Sequence, residues 1–188
     1  MTMILKKPGN ILIFLLGTFL CFACQTGPVF AKDSAAAAEK KIRALNDQIV
    51  AANEARDLPK ALRAAEEAVR VAKEAFGSGS LEAADTINNL ANLYLYLKRA
   101  AEAEKLYKQA IPIDLKKLDK EGLEVASVYF NLGVAYAMQK KYEPALKVLN
   151  KALIIRLKKL GPDNEATKNV DQMIAEITPL ASPSADKI

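Results

Sequence analysis

The sequence predicts an all-α fold built from antiparallel helical hairpins, and three observations support this prediction. Half of the residues are apolar, whereas aromatic residues make up only 6% and Gly and Pro number 8 each. This composition favours helices that pack through small side chains. Apolar residues recur at the three-and-four spacing of amphipathic helices. The chain also repeats itself with a period of 42 residues, which is typical of stacked helical units.

Residues 1–31 are expected to be a signal peptide. Lys6 and Lys7 precede the fourteen uncharged residues Ile11–Cys24. That run has the length of the apolar core of an export signal and is shorter than the about 20 residues of a membrane span. Small side chains at Val29 and Ala31 fit a signal-peptidase site. We therefore expect cleavage after Ala31 and a periplasmic or secreted chain.

A second interpretation of this segment makes the protein a lipoprotein at the membrane. Cys24 would then be the lipid-carrying first residue, and Ala23 before it fits such a signal, whereas Cys21 and Phe22 fit it poorly. An uncleaved membrane anchor is a third interpretation. Cys21 and Cys24 have the spacing of a redox or metal motif, but an apolar export segment is not the place for such a site.

Charge and composition exclude several classes of function. The formal charge is +5, and without Lys6 and Lys7 there are 25 basic against 22 acidic residues. No nucleic-acid partner is predicted, because proteins that bind nucleic acids cluster more positive charge. The chain has no His, no Cys after residue 31 and no phosphate-binding Gly-rich loop. We therefore predict no enzyme activity, no cofactor and no metal site.

The repeat is clearest between its second and third copies. When residues 81–119 are placed on residues 123–161, 15 of the 39 positions are identical. The first copy, which ends near Gly77, is weaker: Ala61 and Ala68 match later copies, but Gln48 falls where Leu90 stands. After Gly161 there is room for one more helix. The sequence thus predicts three hairpins and a closing helix, and the two glycines are expected to end the second helices.

Small residues mark the contact between the two helices of each predicted hairpin. Ala103 and Ala145 are placed where the helices cross, so that a larger side chain would push them apart. Gly133 allows a similarly close approach. The motif Leu132-Gly133-x-x-Tyr136, followed by Ala145, Leu149 and Ala152, resembles the tetratricopeptide repeat (TPR). The 42-residue period and the run 86–91 are similar to the longer repeats of kinesin light chains.

This resemblance covers roughly residues 40–178 and implies a right-handed superhelix of three repeats plus a closing helix. The repeat domain is accordingly placed at residues 32–178. Residues 179–188, which are rich in Pro and Ser, are expected to form a flexible tail.

The resemblance further implies that the first helix of each repeat lines a concave groove that holds a peptide or a helix of a partner protein. Asn is well suited to such a groove because its amide both donates and accepts hydrogen bonds. The polar positions Arg43, Asn46, Asp47 and Asp85 were weighed for this face. The candidate groove residues are Asn88, Asn89, Asn92, Tyr96, Ser127, Phe130, Asn131 and Met138.

Two interpretations apply to Asn89 and Asn131, which occupy the same position in successive copies. Each could hold the backbone of a ligand, or each could bond to the neighbouring repeat. Asn88 and Asn92 have no Asn counterpart in the third copy, so the sequence assigns them to a specific ligand or to solvent. A clamp for a C-terminal carboxylate is not supported, because Ser127 and Asn131 stand where its cations would be.

The sequence thus predicts an exported protein–protein interaction module. The alternatives are a membrane-attached lipoprotein scaffold and a self-assembling structural protein, whose contact edge would lie near Leu58 and Pro59.

Overall fold

The structure is a computed structural model that describes residues 28–181, with side chains from residue 34 onward. Within this range there are seven α-helices and no strand. They are α1 (Pro28–Glu54), α2 (Leu58–Phe76), α3 (Leu81–Tyr96), α4 (Ala100–Lys117), α5 (Leu123–Met138), α6 (Tyr142–Leu160) and α7 (Glu165–Ala181). None of these helices is both long enough and apolar enough to cross a membrane.

The helices form three hairpins and a closing helix, which confirms the predicted all-α repeat architecture. Helices α1 and α2, α3 and α4, and α5 and α6 pack as pairs, and α7 packs against α6. The first helices α3 and α5 also contact each other across the repeats. The first helices therefore lie on the inner side of the array, as in a curved solenoid.

The turn inside each hairpin shows that all three copies keep the 42-residue period. Arg56, Lys98 and Lys140 have positive φ angles of 56°, 61° and 60°. They are spaced 42 residues apart, and each lies just after the first helix of its hairpin. The first copy therefore follows the same period as the others, even though Gln48 is exposed where Leu90 is buried.

Capping side chains and glycines set several helix boundaries. The side chain of Asp57 accepts a hydrogen bond of 3.1 Å from the backbone N–H of Lys60. The Ser80 hydroxyl caps α3 in the same manner through the N–H of Ala83, also at 3.1 Å. Gly77 and Gly161 end α2 and α6 with φ angles of 90° and 81°. The prediction that these glycines end the second helices is confirmed.

The crossing points within the hairpins are as tight as predicted. Ala103 and Ala145 are fully buried. A Cβ added to Gly133 would lie 2.6 Å from Cγ and Cδ2 of Leu149, which is itself fully buried. The absence of a side chain at Gly133 therefore lets α5 and α6 approach each other.

Polar contacts join the second and third hairpins in several places. Asn131 Nδ2 donates to Asn92 Oδ1 at 2.9 Å. Gln139 Nε2 donates to the Ala100 carbonyl at 3.2 Å, and Lys141 Nζ lies 2.8 Å from Oε2 of Glu104. Between the first and second hairpins, Tyr94 donates to Glu66 at 3.4 Å, alongside a core of buried alanine, leucine and isoleucine side chains.

The two ends of the described chain differ from the predicted boundaries. Helix α1 begins at Pro28, so the predicted cleavage point after Ala31 falls within its range. The predictions for residues 1–27, including lipidation of Cys24, lie outside the described residues. At the other end, α7 extends to Ala181 and includes Pro179, so the first three residues of the predicted tail are helical. A proline in the last turn removes one N–H donor, while its fixed φ angle remains compatible with a helix.

Candidate functional site

Two adjoining clefts lie between α1 and α3 on the inner side of the array. Their volumes are about 460 and 490 Å³, and both are lined by Asn46 and Asn89. We call the two clefts together the inner groove. The first is lined by Glu39, Ile42, Arg43, Asn46, Glu82, Asp85, Thr86, Asn88 and Asn89. The second is lined by Asn46, Ile49, Val50, Asn53, Asn89, Asn92, Leu93 and Tyr96.

One end of the inner groove is acidic. Glu39 is paired with Arg43 at 3.2 Å, but within residues 34–181 neither Glu82 nor Asp85 forms an ion pair. Burial raises the pKa of Asp85, and the nearby Asp114 and Glu82 raise it further. A cationic group placed here would relieve this repulsion.

The centre of the groove presents amide groups. Asn89 is exposed, and across the described chain its side chain has no hydrogen-bond partner. Asn46 lines both clefts and is likewise without a side-chain partner in that part of the protein. In the second cleft, Oδ1 of Asn53 is buried without a donor. Unsatisfied amides on a groove wall can bond to the backbone of a ligand.

The far end of the groove is apolar. Tyr96 and Val50 are 64% and 57% exposed, which is unusual for large apolar side chains in this protein. Ile49 and Leu93 lie beneath them in the same cleft. Because α1 and α3 are both first helices and run in the same direction, the groove changes along its length from acidic, through amide, to apolar.

The structure distinguishes between Asn89 and Asn131, for which the sequence left two interpretations. Asn131 bonds to the neighbouring repeat, because its Nδ2 meets the Oδ1 of Asn92. The residue that stands in the same relation to Asn89, 39 positions earlier, is Val50, whose side chain accepts no hydrogen bond. Asn131 therefore joins two repeats, whereas Asn89 faces the groove unpaired.

Asn88 and Asn92 are engaged inside the protein and are not left to a ligand or solvent. Asn88 Nδ2 donates to Oδ2 of the buried Asp114 at 3.2 Å. Oδ1 of Asn92 accepts from the hydroxyl of Tyr107 as well as from Asn131. Burial raises the pKa of Tyr107, which keeps this hydroxyl protonated as a donor. Both Asn side chains border the inner groove but are held by these contacts.

The remaining candidates lie on α5, outside both clefts. The Ser127 hydroxyl bonds to the carbonyl of Leu123 at 2.9 Å. Phe130 lies beneath the guanidinium of Arg156, 5.0 Å from the ring centroid. Met138 is exposed. For Ser127, Phe130 and Met138, contact with a ligand stays a prediction.

The contribution of α1 to the groove was largely missed from the sequence. Neither the apolar pair Ile49 and Val50 nor Asn53 was expected there, and on α3 Glu82 was also missed. A signal was available: residues 39, 42, 43, 46, 49, 50 and 53 follow helical spacing along one face. It was obscured by the weak similarity of the first copy to the others.

Comparison with known proteins agrees with this architecture. Family patterns described as tetratricopeptide repeat match residues 41–116 and 126–156. No curated protein matches the sequence.

Several solved structures share the fold. A putative kinesin light chain from Podosopora anserina with nearly identical TPR-like repeats superposes with a TM-score of 0.68 at 18% identity, covering 74% of this chain and 66% of that one. BtubC from P. vanneervenii gives a TM-score of 0.64 at 24% identity, covering 71% and 53%. This chain therefore spans 66% and 53% of the lengths of those structures.

A third similar structure is the TPR2B domain of yeast Sti1 in a complex with pHsp70. Its TM-score is 0.56 at 19% identity, and the match covers 74% of this chain and 97% of that one. Family patterns, the 42-residue period and the stacked hairpins all lead to one conclusion. The chain belongs to the tetratricopeptide repeat family, whose members serve in general as protein–protein interaction modules.

Proposed function

We propose that this protein is exported and binds an extended segment of a partner protein in the inner groove. The observation that carries the proposal is the unpaired amide of Asn89, which lines both clefts of the groove. An amide that faces a groove without a partner can accept an N–H from a peptide backbone and donate to a carbonyl.

The order of chemistry along the groove indicates what the segment carries. A Lys or Arg side chain would be placed beside Glu82 and Asp85, whose carboxylates have no ion pair within residues 34–181. The backbone of the segment would bond to Asn46 and Asn89. An apolar side chain would then cover Tyr96 at the other end. Exposed aromatic and aliphatic side chains of this kind commonly anchor protein interfaces.

A selection from a displayed library of random peptides on the purified full-length protein tests this proposal. Selected peptides should combine a basic residue with an apolar one, and their affinity is measured by isothermal titration calorimetry. Asn89→Ala should weaken binding about 2- to 10-fold, the equivalent of one or two hydrogen bonds. The melting temperature should stay unchanged, since this side chain bonds to nothing within the described chain.

Matched variants separate binding from folding. Asn169→Ala removes an exposed Asn from α7 and should leave affinity and stability as they are. Asn131→Ala should lower the melting temperature, because it removes a bond between repeats. If Asn89→Ala and Tyr96→Ala both bind the selected peptides at full strength, the inner groove is not the binding site.

The export part of the proposal is supported by the order of charge, apolar run and small side chains in residues 1–31. Intact mass spectrometry of the protein recovered from its own cells should show a chain that starts at Lys32. Fractionation should place it in the periplasm or medium. A lipid-modified chain that starts at Cys24 in the membrane fraction would establish the lipoprotein instead.

A further inference from the structure

A second recess lies on the opposite side of the array, between the second helices α4 and α6. Its volume is about 760 Å³, larger than either cleft of the inner groove. We call it the outer cleft. Its apolar lining residues are Pro112, Leu115, Tyr129, Ile154 and Ile155. Ile154 is 66% exposed, a level at which a large aliphatic side chain on a folded surface indicates a contact site.

The rim of the outer cleft is cationic. Lys116, Lys120 and Lys151 line it, and none of the three forms an ion pair within residues 34–181. Lys151 instead lies over the ring of Tyr129, with Nζ 5.1 Å from the centroid. Three lysines around an apolar floor make a surface that is complementary to negative charge.

The acidic residues of the adjacent α4–α5 loop do not neutralise this rim. Asp119 pairs with Lys159 at 3.4 Å, and Glu121 pairs with Lys158. Both of these lysines lie in the last turn of α6. The nearby carboxylates are therefore already engaged, and the positive charge at the cleft has no counterpart within the described chain.

This arrangement belongs to one junction of the array and is not a general property of the repeat. Pro112 and Ile154 occupy the same position in successive copies, and the first copy has Arg70 there. Arg70 pairs with Glu67 at 2.7 Å and with Glu74 at 2.8 Å. On α2 the position is thus polar and satisfied, whereas on α4 and α6 it is apolar and open.

We propose that the outer cleft binds an acidic amphipathic segment of a partner protein, one that presents an apolar side chain to Ile154 and carboxylates to the three lysines. The charge of the rim selects this occupant. A second copy docked symmetrically would place the same lysines opposite one another, and like charges at an interface are unfavourable. A helix in a groove is a common form of such recognition. The protein then has two binding faces, with basic segments favoured inside and acidic segments favoured outside.

A selection from a displayed random-peptide library on the full-length protein, counter-selected against Ile154→Glu, tests the outer cleft. Peptides enriched in Asp and Glu beside apolar residues should emerge. Their affinity should fall at least tenfold with Ile154→Glu, and the double charge reversal of Lys116 and Lys151 to Glu should weaken them similarly. Because all three side chains are exposed, the melting temperatures should remain close to that of the unsubstituted protein.

Controls separate this face from the inner groove. Leu180→Glu changes another exposed apolar residue, 54% exposed on α7, and should leave the affinity within twofold. Asn89→Ala should also leave it unchanged, so a failure of the groove does not imitate a failure of the cleft. The proposal is overturned if no Ile154-dependent peptides emerge, or if those that emerge are basic.

Two further measurements identify other occupants. Light scattering that shows a dimer of the unsubstituted protein and a monomer of Ile154→Glu would assign the face to a second copy. Sedimentation with anionic phosphatidylglycerol vesicles that is lost in Ile154→Glu would assign it to a membrane. Either outcome would overturn the assignment to a peptide, whereas a monomer that does not sediment with vesicles supports it.

Discussion

Asp114 and Arg156 occupy the same position in successive repeats, yet one is an acid and the other a base. Each contacts the residue at one matching position of its own hairpin. Asp114 accepts a hydrogen bond from Asn88, and Arg156 lies over the ring of Phe130. One place in the fold is thus filled by a polar pair in the second repeat and by a cation on an aromatic ring in the third.

The first prediction concerns the cost of burying Asp114. Its side chain is 2% exposed, its Oδ1 has no partner, and burial raises the pKa of the carboxyl despite the bond from Asn88. Asp114→Asn keeps an acceptor for Asn88 and removes the charge. We expect it to raise the free energy of unfolding at pH 7 by about 1 kcal/mol, the scale of an unsatisfied buried polar group.

The pH dependence of this effect follows from its sign. A raised folded pKa means that the ionised form destabilises the fold above that pKa, and that protonation removes the penalty as the pH falls. The advantage of Asp114→Asn should therefore shrink on acidification, as followed by urea unfolding. The exposed Asp47→Asn should show no comparable change. An Asp114→Asn protein that is less stable at pH 7 would contradict this account.

The second prediction concerns Glu104, which joins the second and third hairpins. Burial alone would raise its pKa, but hydrogen bonds from Lys108, Lys141 and Gln139 outweigh this and lower it from 4.5 to about 2. A depressed folded pKa stabilises the protein above pH 4.5, and this contribution is lost as the pH falls toward 2. Glu104→Gln should lower the free energy of unfolding at pH 7 by about 1–3 kcal/mol.

Urea unfolding of the Glu104→Gln protein between pH 7 and pH 2 checks this. The difference from the unsubstituted protein should narrow as the pH drops below 4.5. Glu143→Gln changes an exposed carboxylate on α6 and serves as the control. A constant difference over the whole pH range would show that the contacts of Glu104 do not depend on its charge.

The third prediction tests the close approach at Gly133. Gly133→Ala adds a Cβ that would lie 2.6 Å from Leu149. Helix propensity favours Ala over Gly by about 1 kcal/mol, but overpacking a tight contact costs about 1–3 kcal/mol. We expect a net loss of stability in thermal unfolding, partly recovered by adding Leu149→Val. Stabilisation by Gly133→Ala alone would mean that α6 moves away easily.

The fourth prediction uses the left-handed turn residues. Lys140 has a φ angle of 60°, a conformation that costs a side-chain-bearing residue about 1–2 kcal/mol and costs Gly little. Lys140→Gly should therefore stabilise the protein by about 0.5–1 kcal/mol. Lys147→Gly, at an exposed position inside α6, should destabilise it by about 1 kcal/mol. Equal losses for the two variants in urea unfolding would contradict the turn geometry.

The repeat architecture could be predicted from the sequence because its signals are periodic. Ala103, Ala145 and Gly133 indicated the crossings from their spacing alone, and the structure confirms them. The groove was harder to predict because an exposed Asn looks the same in sequence whether or not it has a partner. The fate of Asn89 is decided by Val50, 39 residues earlier, and a comparison at a spacing of 42 does not pair them.

The inner groove also lies across the junction with fewer polar fastenings, where Tyr94 reaches Glu66 at 3.4 Å. The next junction has the amide pair of Asn92 and Asn131 together with the contacts of Glu104. The first hairpin should accordingly swing open or fray at a lower free energy than the rest of the array. A ligand that touches both α1 and α3 would act as a splint across this joint. Occupancy of the groove would then be visible far from the ligand itself, as slower amide hydrogen exchange along α2.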